Sequence, residues 1–268
     1  MDTLGNRMKS YYEEASQTKL LRRTPIVIRI DGRAFHSFTH GLHKPFDSIL
    51  METMQDTMKY LCENIQGCVL GYTQSDEISL VLIDYQSLNA DAWFGNKVQK
   101  IVSVSASLAT LEFNRAFRRH VGDYKATMAV SFVPQSQEEL KALAKYRDTL
   151  DKCLTKGAVF DSRAFNVPRE EVTNYLFWRQ LDAERNSVQS VAQANFSPKQ
   201  LEGLSCGTLI HKLEEEKMIV WGDYPTDAKR GSCCIKTPSG WSIDHDIPRF
   251  YNEGRAYVEP LIAPGDPE

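Results

Sequence analysis

Three carboxylates stand where short apolar runs meet turns. Asp31 closes Ile26-Val27-Ile28-Arg29-Ile30 and is followed by Gly32, while Asp76 and Glu77 open Ile78-Ser79-Leu80-Val81-Leu82-Ile83 after the polar step Thr73-Gln74-Ser75. Both runs are β-rich, short and bounded by turn residues, the pattern of buried strands. An acidic residue at the end of such a strand is presented at the rim of a sheet, where function concentrates. If the two runs pair, three anions meet at one rim, and they repel or protonate unless a cation sits among them. Magnesium suits that set, because it takes hard oxygen ligands and keeps waters and substrate phosphates. Two such ions would clamp an in-line displacement at phosphorus, one activating the attacking hydroxyl and the other neutralising a triphosphate and its leaving pyrophosphate. Asp31, Asp76 and Glu77 are therefore the candidate catalytic and metal-ligating side chains, and the backbone carbonyl of Gly32 is a further candidate ligand. Singly, an Asp at a strand end is more often a cap, and an Asp-Glu pair at a hairpin is more often solvated. The combination carries the reading.

The elements that must position these groups follow from periodicity. Residues 4–20 read as an amphipathic helix, 33–46 as a loop with three histidines, and 47–64 as a helix capped by Asp47 or Ser48. Cys68–Ile83 reads as a β-hairpin, 91–119 as the longest helix, Thr127–Val133 as a further strand and 136–155 as a charged helix. Ala158–Val167 reads as a strand stopped by Pro168, 169–192 as a helix, 198–216 as helical with breaks at Gly203 and Gly207, and the tail from 217 as hairpin and coil. The core order is strand, helix, strand, strand, helix, strand. That predicts an α+β fold: a ferredoxin-like or polymerase-palm antiparallel sheet with flanking helices and a C-terminal extension. RNA-recognition modules share this topology, so topology alone does not choose the function. Residues 1–135 are expected to form the first part of a palm-type core with the metal site, 136–216 to complete it, and 217–268 to be the extension.

Bulk properties narrow the field. The chain has 268 residues and a formal charge of −3, so any nucleic-acid surface must be a local patch. Six scattered cysteines show no CxxC or zinc spacing and read as free thiols in a reducing, cytoplasmic setting. The polar first residues carry no apolar signal core, and no run is apolar enough to span a bilayer. No GxxxxGK[ST] loop and no Ser/His/Asp or Cys/His pairing suggests itself. Basic clusters lie at Lys19/Arg22/Arg23, at Arg115/Arg118/Arg119 with His120, and at Lys229/Arg230. The second cluster has one-turn spacing that could meet RNA phosphates, although such clusters are usually solvated faces. His40 and His43 read as loop residues rather than metal ligands, and Glu214-Glu215-Glu216 as a solvated helix end.

Arg29-Ile30-Asp31-Gly32-Arg33-Ala34-Phe35-His36, Lys44-Pro45-Phe46-Asp47 and Tyr72-Thr73-Gln74-Ser75-Asp76-Glu77-Ile78-Ser79 resemble the tRNA-His guanylyltransferase family. Phe160-Asp161-Ser162-Arg163 and Tyr175-Leu176-Phe177-Trp178-Arg179-Gln180-Leu181-Asp182 agree with it, so the resemblance spans roughly residues 5–215. It implies a palm with two Mg2+ ions, ATP and GTP as substrates, tRNA as partner, a homotetramer, and nucleotide addition to an RNA 5′ end in the 3′–5′ direction. Asp31, Gly32 and Asp76 match metal ligands, with Glu77 ligating or supporting. Arg33, Ala34, Phe35, His36, Lys44, Asp47 and Ser75 match nucleotide-pocket positions, and Lys97 and Lys100 fall where basic residues meet triphosphate. One family signature departs. His-Ile-Asn-Asn-Leu-Tyr-Asn is replaced here by Glu184-Arg185-Asn186-Ser187-Val188-Gln189-Ser190, and only Asn186 fits. The loss resembles relatives that repair 5′-truncated tRNA by templating, and the expectation is repair rather than obligate guanylate addition. A nucleotide cyclase shares the two-metal logic but needs no RNA. A non-catalytic RNA-binding module would want aromatics on the strands, where this chain has carboxylates.

Overall fold

Strand β1 (Ile26–Gly32) lies between β3 (Glu77–Leu82) and β4 (Phe160–Asn166) and runs antiparallel to both. β2 (Cys68–Gln74) continues the sheet beyond β3. The computed structural model describes residues 3–131 and 134–265. The strand order β4-β1-β3-β2 is that of the ferredoxin-like palm. The tail adds β5 (Ser232–Thr237) and β6 (Gly240–Asp244), giving six strands in the order β4-β1-β3-β2-β5-β6. The hairpin read at the tail thus docks on β2, pairing Tyr72 with Cys233.

Nine α-helices stand among the described residues. α1 (Thr3–Met8) and α2 (Phe35–Phe38) are short, while α3 (Ser48–Asn64), α4 (Val98–Ser131), α5 (Gln137–Lys156) and α6 (Arg169–Asn195) carry the packing. α7 (Pro198–Leu201), α8 (Cys206–Lys217) and α9 (Thr226–Arg230) follow. Helical backbone continues past α1 as a π turn over Lys9–Glu13 and a 3-10 turn over Glu14–Ser16, so the first helix stops short of residue 20.

Alternation sorts the sheet into two faces. Ile26, Ile28 and Ile30 of β1 and Ile78, Leu80 and Leu82 of β3 pack with α3 and α4. Val27 and Val81 face the other way, toward α6 and the tail residues Ile247 and Phe250. Each buried Ile or Leu contributes about 1.5–3 kcal/mol. A one-residue slip of β1 would exchange its two faces and push Arg29 and Asp31 into the core under α3 and α4. The apolar register is therefore what fixes the carboxylate at the rim.

Two expectations fail here for physical reasons. The strand expected over Thr127–Val133 is helix through Ser131, where α4 continues, and Phe132 and Val133 lie outside the described residues. The β-branched composition there is a weak prior, and extending an existing helix needs no new nucleus. Gly207 does not break a helix, since it lies in the first turn of α8 behind the Ser205 cap, whereas Gly203, with φ +73°, does separate α7 from α8.

Candidate active site

At the rim Asp31 faces Glu77 across β3 and Asp161 across β4. Asp76 sits in the tight β2–β3 turn. There Ser75 adopts left-handed backbone (φ 51°), and the Gly32 amide donates to the Asp76 carbonyl at 3.0 Å. That bond ties the end of β1 to the turn and brings both acidic positions together. Burial pushes the Asp76 carboxyl up, and the nearby Asp31 charge adds to the rise. Hydrogen bonds from its own backbone amide and from the Ser75 hydroxyl oppose the shift. Asp31 meets the Arg29 guanidinium at 3.3 Å and that of Arg163 at 3.6 Å.

Glu77 is differently placed. Arg179 of α6 grips both its oxygens, donating from Nε and Nη2 at 2.7 Å each, and both side chains are buried. Burial pushes the Glu77 carboxyl up, and the Arg179 guanidinium opposes the rise without cancelling it. Burial likewise works against the Arg179 charge, but Glu77 and Asp182 outweigh it and keep the guanidinium protonated. Glu77 is thus an anchor between β3 and α6.

Gly32 is required by space. A Cβ there would lie 2.2 Å from the Phe35 ring, which is buried against Phe38, Phe113 and Phe160. Gly32→Ala must move either the ring or the rim. The expected result is a loss of about 1–3 kcal/mol in denaturant unfolding, together with lower activity than wild type measured under conditions where both are folded.

Beside the rim, a recess bordered by Gly32, Ala34, His36, Ser75 and Asp76 meets a cavity of about 260 Å³ at Thr39, Leu50 and Ser75. Lys44 and Phe46 enter the cavity from the loop, Asn186, Ser187 and Ser190 from α6, and Asp227 from α9. The carboxylate rim thus opens onto a polar cavity that holds Lys44, the Gln74 and Asn186 amides, Asp47 and Asp227, a lining that can take a small polar ligand.

Comparison with known proteins agrees. The family model described as tRNAHis guanylyltransferase matches residues 5–168. The chain belongs to the tRNA(His) guanylyltransferase family. The tRNA(His) guanylyltransferase of Schizosaccharomyces pombe is 28% identical over 247 residues, 86% of this chain and 82% of that protein. A bacterial tRNA(HIS) guanylyltransferase (Thg1)-like protein solved in complex with ATP is 43% identical, with a TM-score of 0.80, covering 97% of this chain and 99% of that one. One solved in complex with GTP is 38% identical, with a TM-score of 0.72 and the same coverage. Members of this guanylyltransferase family are nucleotidyltransferases, so the chain is an enzyme of that class.

Within this guanylyltransferase-family fold, the residues expected at the site divide. Asp31, Gly32, Ser75, Asp76, Ala34 and His36 gather at the rim and its recess, and Lys44 and Asn186 line the cavity. Arg33 is exposed on the loop, its amide donating to Val159. Phe35 borders the recess, yet its ring belongs to the core. Asp47 also borders the cavity, but its carboxylate is occupied: it caps α3 at Leu50 and accepts from the His43 amide and the Tyr146 hydroxyl, at 3.1, 2.9 and 2.7 Å. His43 stacks on Tyr146 at 3.6 Å.

Lys97 and Lys100 do not reach this rim. Asn96 and Lys97 bond to Leu20 and Lys19, which precede β1, so these lysines stand at the far end of a seven-residue strand, about 20 Å away. Arg119 pairs with Asp56 at 2.6 Å, while Arg115 and Arg118 remain exposed on α4. Arg179, Arg29, Asp161 and Arg163 are the neighbours that sequence reading missed. Alternation in β1 and β4 would have placed three of them on the Asp31 face. Nothing local marks the pairing of Arg179 with Glu77.

Proposed function

We propose that this chain adds nucleotides in the 3′–5′ direction to the 5′ end of tRNA, copying the opposing base to repair 5′-truncated molecules. The observation that carries the reading is the tie between Gly32 and Asp76, which holds Asp31 and Asp76 at one rim beside the Lys44 cavity. Bacterial Thg1-like proteins have been solved in complex with ATP and with GTP, and this reading assigns the triphosphate of this chain to the Lys44 cavity.

The donor set fits magnesium. Among the described residues no three His, Cys, Asp or Glu side chains converge as a ready-made cage. Magnesium does not ask for one, since one or two carboxylates with substrate phosphates and water suffice. Asp31, Asp76 and the Gly32 carbonyl would hold it, and burial with mutual repulsion at Asp76 is relieved by a cation there. When bound, the ions supply charge neutralisation at the phosphates and a more acidic attacking hydroxyl. Glu77 supports this rim through Arg179 instead of ligating.

The protein's own groups then divide the remaining work. The Lys44 ammonium meets the triphosphate, Ser75 lies between recess and cavity, and the Asn186 amide faces the incoming nucleotide. In the departed family signature, Glu184 is drawn away to Arg249 and Arg230 and anchors the tail, leaving Asn186, Ser187 and Ser190 toward the cavity. That altered lining favours templated repair over obligate guanylate addition. A cytoplasmic homotetramer is the assembly this reading implies.

Lys44→Ala is expected to raise KM for the nucleoside triphosphate about 10- to 100-fold, the worth of one charged hydrogen bond, in steady-state assays with tRNA saturating. Incubation with labelled triphosphate alone tests the reading against its enzymatic rival. No cyclic product is expected without RNA, and a cyclic nucleotide would overturn it.

A further inference from the structure

α6 crosses the polar sheet face close to the rim. Its Tyr175 hydroxyl meets the Ser79 hydroxyl at 2.9 Å, its Arg179 grips Glu77, and its Asn186 reaches the cavity. The same side of α6 extends over β4, because Tyr175 also meets the Phe165 ring of β4, at 5.8 Å, and the Trp178 ring lies beside it at 5.9 Å. By register, Arg29 and Asp31 of β1 share this face with Arg163 and Asp161 of β4. The sheet therefore has a polar strip on the β4 side that ends at the carboxylates, and the nucleotide cavity approaches the same carboxylates from the β2 side.

Trp178 projects from α6 beside Tyr175 and Arg179, the two residues that meet this face of the sheet. Half of the residue is exposed (50%), and the Arg163 side chain is 56% exposed. The Arg179 guanidinium lies 4.5 Å from the indole centroid and is itself locked onto Glu77, so the ring is held in place at little entropic cost. A positioned, half-open aromatic ring on the helix that covers a sheet face carrying an exposed guanidinium offers what a single-stranded nucleic-acid end needs: a ring to stack a base and a guanidinium to meet a phosphate.

We infer that Trp178 stacks on the terminal base of the RNA 5′ end and that Arg163 meets its backbone, delivering that end to the carboxylate rim opposite the incoming nucleotide. This rests on the reading of the protein as an RNA-end nucleotidyltransferase. It adds the acceptor site that the cavity does not supply.

The test uses the full-length protein and a 5′-truncated tRNA carrying 2-aminopurine as its first nucleotide. Wild type should quench the 2-aminopurine on binding. Trp178→Ala should raise Kd and KM for this tRNA about 5- to 100-fold, abolish the quench, and leave KM for the triphosphate unchanged. Trp178→Phe should keep most of the affinity and the quench, whereas Trp178→Leu, which stays apolar but has no ring to stack, should not. Arg163→Ala should lower the salt dependence of binding by about one phosphate contact. Quench and Kd equal to wild type in Trp178→Ala or Trp178→Leu would overturn the inference while leaving the function intact. So would a change in assembly size by sedimentation with RNA affinity untouched, which would assign the face to a second copy. If wild type itself neither binds nor extends tRNA, the functional reading fails along with it.

Discussion

Replacing Asp31 or Asp76 by alanine should cut nucleotide addition by well over about 100-fold, since even the loss of a supporting partner behind a metal ligand costs 10- to 100-fold. The fold should survive. Asp31 is at a solvent-facing rim, its side chain 29% exposed, and its charge raises the Asp76 carboxyl, so its removal relieves repulsion as it takes a partner from Arg29. These effects offset, and the unfolding free energy should stay within about 0.5–1 kcal/mol of wild type. Asparagine at either position keeps shape and loses charge, and should be as inactive as alanine. Circular dichroism melting beside a primer-extension assay separates the two outcomes. A variant with near-normal turnover in magnesium would remove that residue from the metal site.

The second large effect is structural and lies one strand away. Arg179→Ala strips the hydrogen-bonded cation from a buried Glu77 carboxylate. Breaking a buried pair by removing one partner costs about 3–5 kcal/mol, which for a chain of this size lowers Tm by roughly 10 °C. Removing both charges is different. Arg179→Met with Glu77→Leu replaces the pair by apolar volume, and most of the stability should return. The activity of that double variant then tests the role of Glu77. Partial activity fits an anchor between β3 and α6, whereas complete loss in a folded protein would restore Glu77 as a ligand. A Tm change below about 2 °C in Arg179→Ala would show that the pair contributes little.

Much of the rim could be read from sequence because its cause is local. Two short, β-branched apolar runs bounded by turn residues define β1 and β3, and a carboxylate one step past the last buried isoleucine has to emerge at the rim. Local signals narrowed the α3 cap to Asp47 or Ser48, and the cap is Asp47, but they did not show that capping occupies the carboxylate assigned to the nucleotide. What escaped depends on contacts distant in sequence. Arg179 is 102 residues from Glu77, and no pattern in either segment announces the other. Lys97 and Lys100 had suitable charge, but charge carries no direction, and the 3-10 turn before α4 ties them to the wrong end of the sheet. The tail was legible as a hairpin and not as an edge of the main sheet, because pairing with β2 leaves no periodic mark of its own.

The central claim is that the rim extends an RNA 5′ end against a template. A 5′-truncated tRNA bearing a triphosphate, lacking its first nucleotide and carrying each of the four bases at the opposing 3′-side position in turn, tests it most directly. Offered the four labelled triphosphates one at a time with magnesium, the protein should add the complement of the opposing base in every case, and Asp76→Ala should add none. Addition of guanylate alone, whatever base stands opposite, would contradict templated repair. Failure to extend any of the four would contradict the assignment of the rim to RNA 5′ ends.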